Sequence, residues 1–184
     1  NTVARKTAGL GGWIITNYTA GTGTVGAAPV MSSSSDGYPA TAAVAGTATV
    51  LTEARLKTAI QNVWTQGGSP DFVMVGPFNK TVISGFSGIA TRFRDVPAGK
   101  QAQIIGAADV YVSDFGVVNV VPNRFQPENR AYLIDPDKLA VTYLRSFRTI
   151  ALAKTGDYSK RMLLVEYSLK VRAEKGLGIV RGLT

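Results

Sequence analysis

Apolar residues recur at helical spacing between positions 51 and 86, and beyond position 109 they fall mostly into short strand-like runs. Leu56, Ile60, Val63 and Trp64 make one stripe of a helix. Thr52 is suited to cap its start, and Glu53 complements the positive end of the helix dipole. Leu51 and Leu56 stand one residue before the cap and four after it, the spacing of a hydrophobic staple, and Gly67-Gly68 ends the helix. Residues 71–75 read as a short buried strand. Gly76-Pro77 then opens a second helix with proline at its first position, and Phe78, Val82, Ile83 and Phe86 supply its buried face.

Residues 109–112 and 117–121 read as two strands joined by Ser113-Asp114-Phe115-Gly116, which has turn chemistry, and Pro122 stops the second. Residues 131–134 form another strand before the turn Asp135-Pro136-Asp137. Leu139, Val141 and Tyr143 then alternate with period two. The clearest alternation comes late. Val165, Tyr167, Leu169 and Val171 point one way, while Glu166, Ser168, Lys170 and Arg172 point the other. This last strand is expected to be central to the fold, with Leu169 facing a core. Residues 17–50, rich in glycine, serine, threonine and alanine, read as a long surface excursion with room for one short strand. The predicted class is α+β, with two helices early and a long antiparallel sheet late.

Composition narrows the chemistry. With 184 residues and 45% hydrophobic side chains the chain can bury a core without staples. It contains neither cysteine nor histidine, so disulfides, thiol nucleophiles and every Ser-His or Cys-His constellation are excluded. No apolar run approaches the 18 residues of a membrane-spanning helix. The net charge of +8 is uneven: residues 1–137 hold ten basic and nine acidic side chains, residues 138–184 ten and three. Such a surplus fits either the polar face of a sheet or a surface meeting phosphate or an acidic neighbour.

Several short motifs lack the context their chemistry needs. Gly21-Thr22-Gly23-Thr24-Val25-Gly26 matches the dinucleotide fingerprint in letters, but Pro29 and a serine run follow where a helix must start. Pro97-Ala98-Gly99-Lys100 lacks the upstream glycine and the following hydroxyl residue of a phosphate loop. Asp135 and Asp137 are first a turn and only second a carboxylate pair. Asn17-Tyr18-Thr19 and Asn79-Lys80-Thr81 are glycosylation sequons by pattern. Arg145-Ser146-Phe147-Arg148 interleaves basic and aromatic residues. In a regular strand Arg145 and Phe147 share one face and Arg148 takes the other, which leaves no continuous stacking platform.

Four stretches carry a family likeness: Val75-Gly76-Pro77-Phe78-Asn79-Lys80, Gly88-Ile89-Ala90-Thr91-Arg92-Phe93-Arg94-Asp95-Val96-Pro97-Ala98-Gly99, Val121-Pro122-Asn123-Arg124-Phe125 and Ala153-Lys154-Thr155-Gly156-Asp157. With the strand that follows, they reach from residue 75 to residue 172. In them the sequence resembles the major capsid proteins of tailed phages, which share the Hong Kong 97 capsid fold. The resemblance implies that residues 1–125 form an axial domain around five-fold and six-fold capsomer axes. Residues 126–184 would complete the β-sheet of a peripheral domain. The basic loop 91–101 would point toward the capsomer axis, making Arg92, Arg94, Asp95 and Lys100 candidates for contacts between subunits. The family also carries an N-terminal arm, an extended loop and a spine helix before this region, so the chain is expected to be the C-terminal portion of a longer protein.

The expected function is a structural virion protein, not an enzyme, that self-assembles as pentamers and hexamers into the icosahedral head. It would need no cofactor or metal and meet no membrane. It would assemble in the host cytoplasm, touch packaged double-stranded DNA non-specifically, and have portal or scaffolding protein as further contacts. The alternative is a basic nucleic-acid-binding module using the C-terminal sheet. A carboxylate-dependent hydrolase is the weakest reading, since no acidic residues cluster as a site requires.

Overall fold

The computed structural model describes residues 8–22, 26–32, 38–86, 110–154 and 156–184. The chain is α+β. Its helices are α1 (Leu10–Trp13), α2 (Glu53–Thr65) and α3 (Pro77–Ser84). Its strands are β1 (Tyr18–Thr19), β2 (Val30–Met31), β3 (Pro39–Thr41), β4 (Phe72–Val75), β5 (Val110–Ser113), β6 (Gly116–Pro122), β7 (Arg130–Ile134), β8 (Leu139–Ala151), β9 (Arg161–Val171) and β10 (Gly178–Arg181).

The start of α2 follows from its local chemistry. The Thr52 hydroxyl accepts a hydrogen bond from the Arg55 N–H at 3.4 Å, and Leu51 and Leu56 are both buried. Leu56, Ala59, Ile60 and Val63 face the core. Trp64 does not join them: at about 100° per residue it falls well to the side of the stripe. It is 55% exposed and leans on Phe115, ring centres 5.3 Å apart. Gly67 closes the helix with φ +83°, a conformation that favours glycine.

Helix α3 begins at Gly76-Pro77 as expected, but its buried face is Asn79 and Ile83, with Phe86 just beyond the helix end. Phe78 is one position off that face and half-exposed. Asn79 can be buried because its amide nitrogen donates to the Glu128 carbonyl at 2.6 Å and to the Glu128 carboxylate at 3.1 Å.

Six strands form the main sheet in the order β1-β10-β7-β4-β6-β5. β1 runs parallel to β10 and β4 parallel to β6; the other neighbours are antiparallel. Alternation divides the side chains between two faces. Val73, Val75, Val118, Val120, Leu133 and Val180 pack against α2 and α3 in the larger core. On the opposite face Tyr132, Ile134 and Ile179 meet Ile14 and Leu177, with Phe72 and Met74 at the margin. Full burial of each such aliphatic side chain is worth about 1.5–3 kcal/mol, so the sheet's middle is where the stability lies.

Two expectations need correction. The strand found at Arg161–Val171 is not central: among the described residues β9 pairs with β8 alone, in a two-stranded sheet, and Leu169 is only half-buried. Its alternation is real, but period two reports a half-buried ribbon as readily as a core strand. The last strand is instead β10, buried between β1 and β7. The main sheet therefore takes strands from both sides of position 125: β7 and β10 from residues 126–184, the others from before it.

Among its described residues, the excursion of residues 17–50 contains three short strands and is tied down at its ends. Thr47 bridges Thr22, Val44 bridges Ala27, and Thr49 lies beside Leu183. Arg55 reinforces the tie. Its guanidinium donates to the Thr49 hydroxyl at 2.6 Å, the Ala20 carbonyl at 3.0 Å and the Arg181 carbonyl at 2.9 Å. Burial pulls its pKa below the ordinary arginine value.

Candidate inter-subunit surface

The β8–β9 hairpin leaves the main sheet between β7 and β10. Its strands, 13 and 11 residues long, pair with each other among the described residues, and at their base Leu139 and Val171 pack beside the smaller core. Pairing fixes its two faces. Val141 opposes Leu169 and Tyr143 opposes Tyr167, which puts all four on one side. Phe147 joins them, 6.3 Å from the Tyr143 ring, as is the ring of Tyr167. Thr142 opposite Ser168, and Ala140 opposite Lys170, take the other side.

Two irregularities in β8, between Tyr143 and Arg145 and between Arg145 and Arg148, reset the alternation. Arg145 now opposes Glu166, with Nε 3.3 Å from Oε2, and Arg148 opposes Leu164. Both arginines therefore share the polar face, and Phe147 sits with the aromatics. A regular strand would have grouped Arg145 with Phe147 instead. The result is a ribbon with one aromatic face and one basic face.

The aromatic face is open. Tyr143 is 54% exposed, Phe147 63% and Tyr167 66%. A lone two-stranded ribbon is marginal in water, and a run of exposed large apolar groups marks a surface meant for a partner. Sequence reasoning saw this alternation but assigned it to a core. Periodicity says which residues share a face and nothing about what covers that face.

Arg92, Arg94, Asp95 and Lys100, with the whole of loop 91–101, lie outside the described residues. The other motifs can be placed. Asp135 accepts a hydrogen bond from the Asp137 N–H at 3.0 Å and lies 3.7 Å from Lys138, which makes Asp-Pro-Asp a capped turn. The residues after Gly26 lead into β2 rather than a helix. Both sequon asparagines are buried, and the Asn17 amide donates to the Lys175 and Leu177 carbonyls. Among the described residues, no three acidic side chains are grouped as a metal site requires.

Comparison with known families settles what the open ribbon belongs to: the model of the SU10 major capsid protein family matches residues 1–184. The chain belongs to that family. No curated protein matches it. As an SU10-family major capsid protein it is a structural subunit of a phage virion shell, and it acts by assembling with copies of itself. An exposed aromatic ribbon is intelligible in such a subunit, whose working state is the assembled shell.

Proposed function

We propose that this capsid protein has the Hong Kong 97 capsid fold, with the six-stranded sheet and its helices as the axial body. Residues 1–125 supply four of that body's strands together with α2 and α3. Within residues 126–184, β7 and β10 complete the body, and the departing hairpin β8–β9 is the peripheral part. The observation that carries this reading is the hairpin itself, which leaves the sheet and presents an uncovered aromatic face among the described residues.

In this reading the subunits form pentamers and hexamers, without catalysis, in the host cytoplasm. The basic face of the hairpin meets packaged duplex DNA through phosphate alone, and portal or scaffolding protein makes further contacts. Arg92, Arg94, Asp95 and Lys100 orient neighbours through opposite charges, which adds orientation more than affinity.

Sedimentation and electron microscopy of the purified chain test the reading. Association that grows with concentration into small oligomers or rings is expected, and a chain that stays monomeric at about 100 μM, far above the micromolar range of ordinary contacts, overturns it. Charge reversal at Arg94 is expected to weaken assembly and leave stability within about 0.5 kcal/mol.

A further inference from the structure

The hairpin's edges are poor places for a partner. β8 carries two irregularities that break its ladder, and the ribbon bears Arg145, Arg148, Arg161 and Lys170 along its length. Such features discourage strand addition. Its aromatic face is charged only at the far end, at Arg161 opposite Ala151. The same hairpin does not suit a copy of itself: residues 139–171 hold six basic and two acidic side chains, so stacking two would bring like charge together.

The molecule has a second open apolar surface. Val112 opposes Val117 across β5 and β6, and Val110 and Val121 lie on the same side. Their exposures run from 37% to 60%. Residues 110–122 contain one charged side chain, Asp114, and no basic one. With Asn119 as the polar residue among its valines, this face is mainly apolar and faintly acidic where the hairpin is aromatic and basic.

We infer that the aromatic face of the β8–β9 hairpin seats on the β5–β6 valine face of a second copy of the chain. This rests on the capsid-subunit reading and names the contact within it. The two patches are different parts of the chain, so the contact is head-to-tail: each copy offers a hairpin to one neighbour and a valine face to another. A head-to-tail contact generates a ring when its rotation closes. β6 is seven residues long. At about 3.3 Å per residue and two strands' width, the overlap covers on the order of 200–300 Å² per copy. That is well below the roughly 800 Å² per partner of a stable pair. The contact is weak alone and holds only when repeated around a closed set.

The absence of cysteine makes the test direct. Tyr167→Cys and Val117→Cys place single thiols at exposed positions on the two faces. Gln61→Cys, on the exposed side of α2, serves as the control. Circular dichroism melts confirm that each variant folds. Under mild oxidation at a concentration where the chain associates, the Tyr167→Cys and Val117→Cys mixture is expected to cross-link at least tenfold faster than either mixed with Gln61→Cys. Association without that preference overturns this inference and leaves the capsid reading standing. Rapid cross-linking of Tyr167→Cys with itself also overturns it, since hairpins would then stack on each other. A chain that never associates removes both.

Discussion

Glu128 shows how one side chain can join two elements. Its carboxylate accepts from the Phe78 N–H at 3.0 Å and the Asn79 N–H at 3.3 Å, two of the orphan donors at the start of α3. Its backbone carbonyl accepts from the Asn79 amide at 2.6 Å. The carboxylate lies so close over Gly76 that a Cβ there would sit 2.4 Å from Oε2, so the cap and the glycine require each other. Glu128→Ala is expected to destabilise the fold by about 1–2 kcal/mol, the range for loss of a helix cap, as read from denaturant unfolding. Tyr111 gives a second prediction. Its buried hydroxyl donates to Glu53 at 3.2 Å, and burial, with the Glu53 and Asp114 carboxylates, raises its pKa. A raised folded pKa contributes stability below the unfolded value of 10.0 and loses it as pH rises beyond. Between pH 10 and 11.5, wild type is expected to lose stability more steeply than Tyr111→Phe, by up to about 1.4 kcal/mol per pH unit. Parallel slopes in the two proteins' melts would remove the Tyr111–Glu53 contact from the account.

At the scale of elements, the hairpin changes what a substitution should do. Were Leu169 in a core, Leu169→Asp would cost several kcal/mol by burying a charge. In a solvent-flanked ribbon it forfeits a cross-strand pair with Val141, about 1 kcal/mol or less. Lys170→Asp should differ from it little in thermal melts, and a loss of 3 kcal/mol or more at Leu169 alone would mean a covered face. The elements legible in the sequence were those whose signals are local. Thr52 with the Leu51–Leu56 staple, Gly76-Pro77, the Ser113-to-Gly116 turn and Asp135-Pro136 each fix a boundary by chemistry within a few residues. β1 and β10 escaped notice because Tyr18–Thr19 and Gly178–Arg181 are too short to show a period, and they are strands only by pairing with each other and with β7. The aromatic surface was half-legible: Tyr167 and Leu169 were correctly put on one face, but exposure is a property of the tertiary arrangement. Arg145 was misplaced because no local signal announced the irregularities in β8 that turn it to the face opposite Tyr143 and Phe147.

For the whole molecule the governing quantity is the distribution of charge. Nearly all of the +8 surplus lies beyond residue 137, and much of it is on the largely exposed β8–β9 hairpin. Arg145 is paired with Glu166, but Lys154, Lys160 and Arg161 gather near the far end, where Lys160 also lies 4.6 Å over the Tyr158 ring. A protein that reads sequence needs side chains seated in a groove against base edges. The hairpin end offers basic groups on exposed backbone instead, which suits phosphate contact alone. Retention on duplex DNA should therefore be weak, indifferent to sequence and steeply salt-dependent, because each phosphate contact releases counterions. Changing Lys154, Lys160 and Arg161 together to glutamine is expected to flatten the plot of log affinity against log salt by about two to three units. The melting temperature should move little, since all three side chains are exposed. Filter binding across a salt series on two unrelated duplexes measures both properties. A tenfold or greater preference for one duplex at fixed salt would favour the nucleic-acid-binding module over a shell subunit that touches DNA only through its charge.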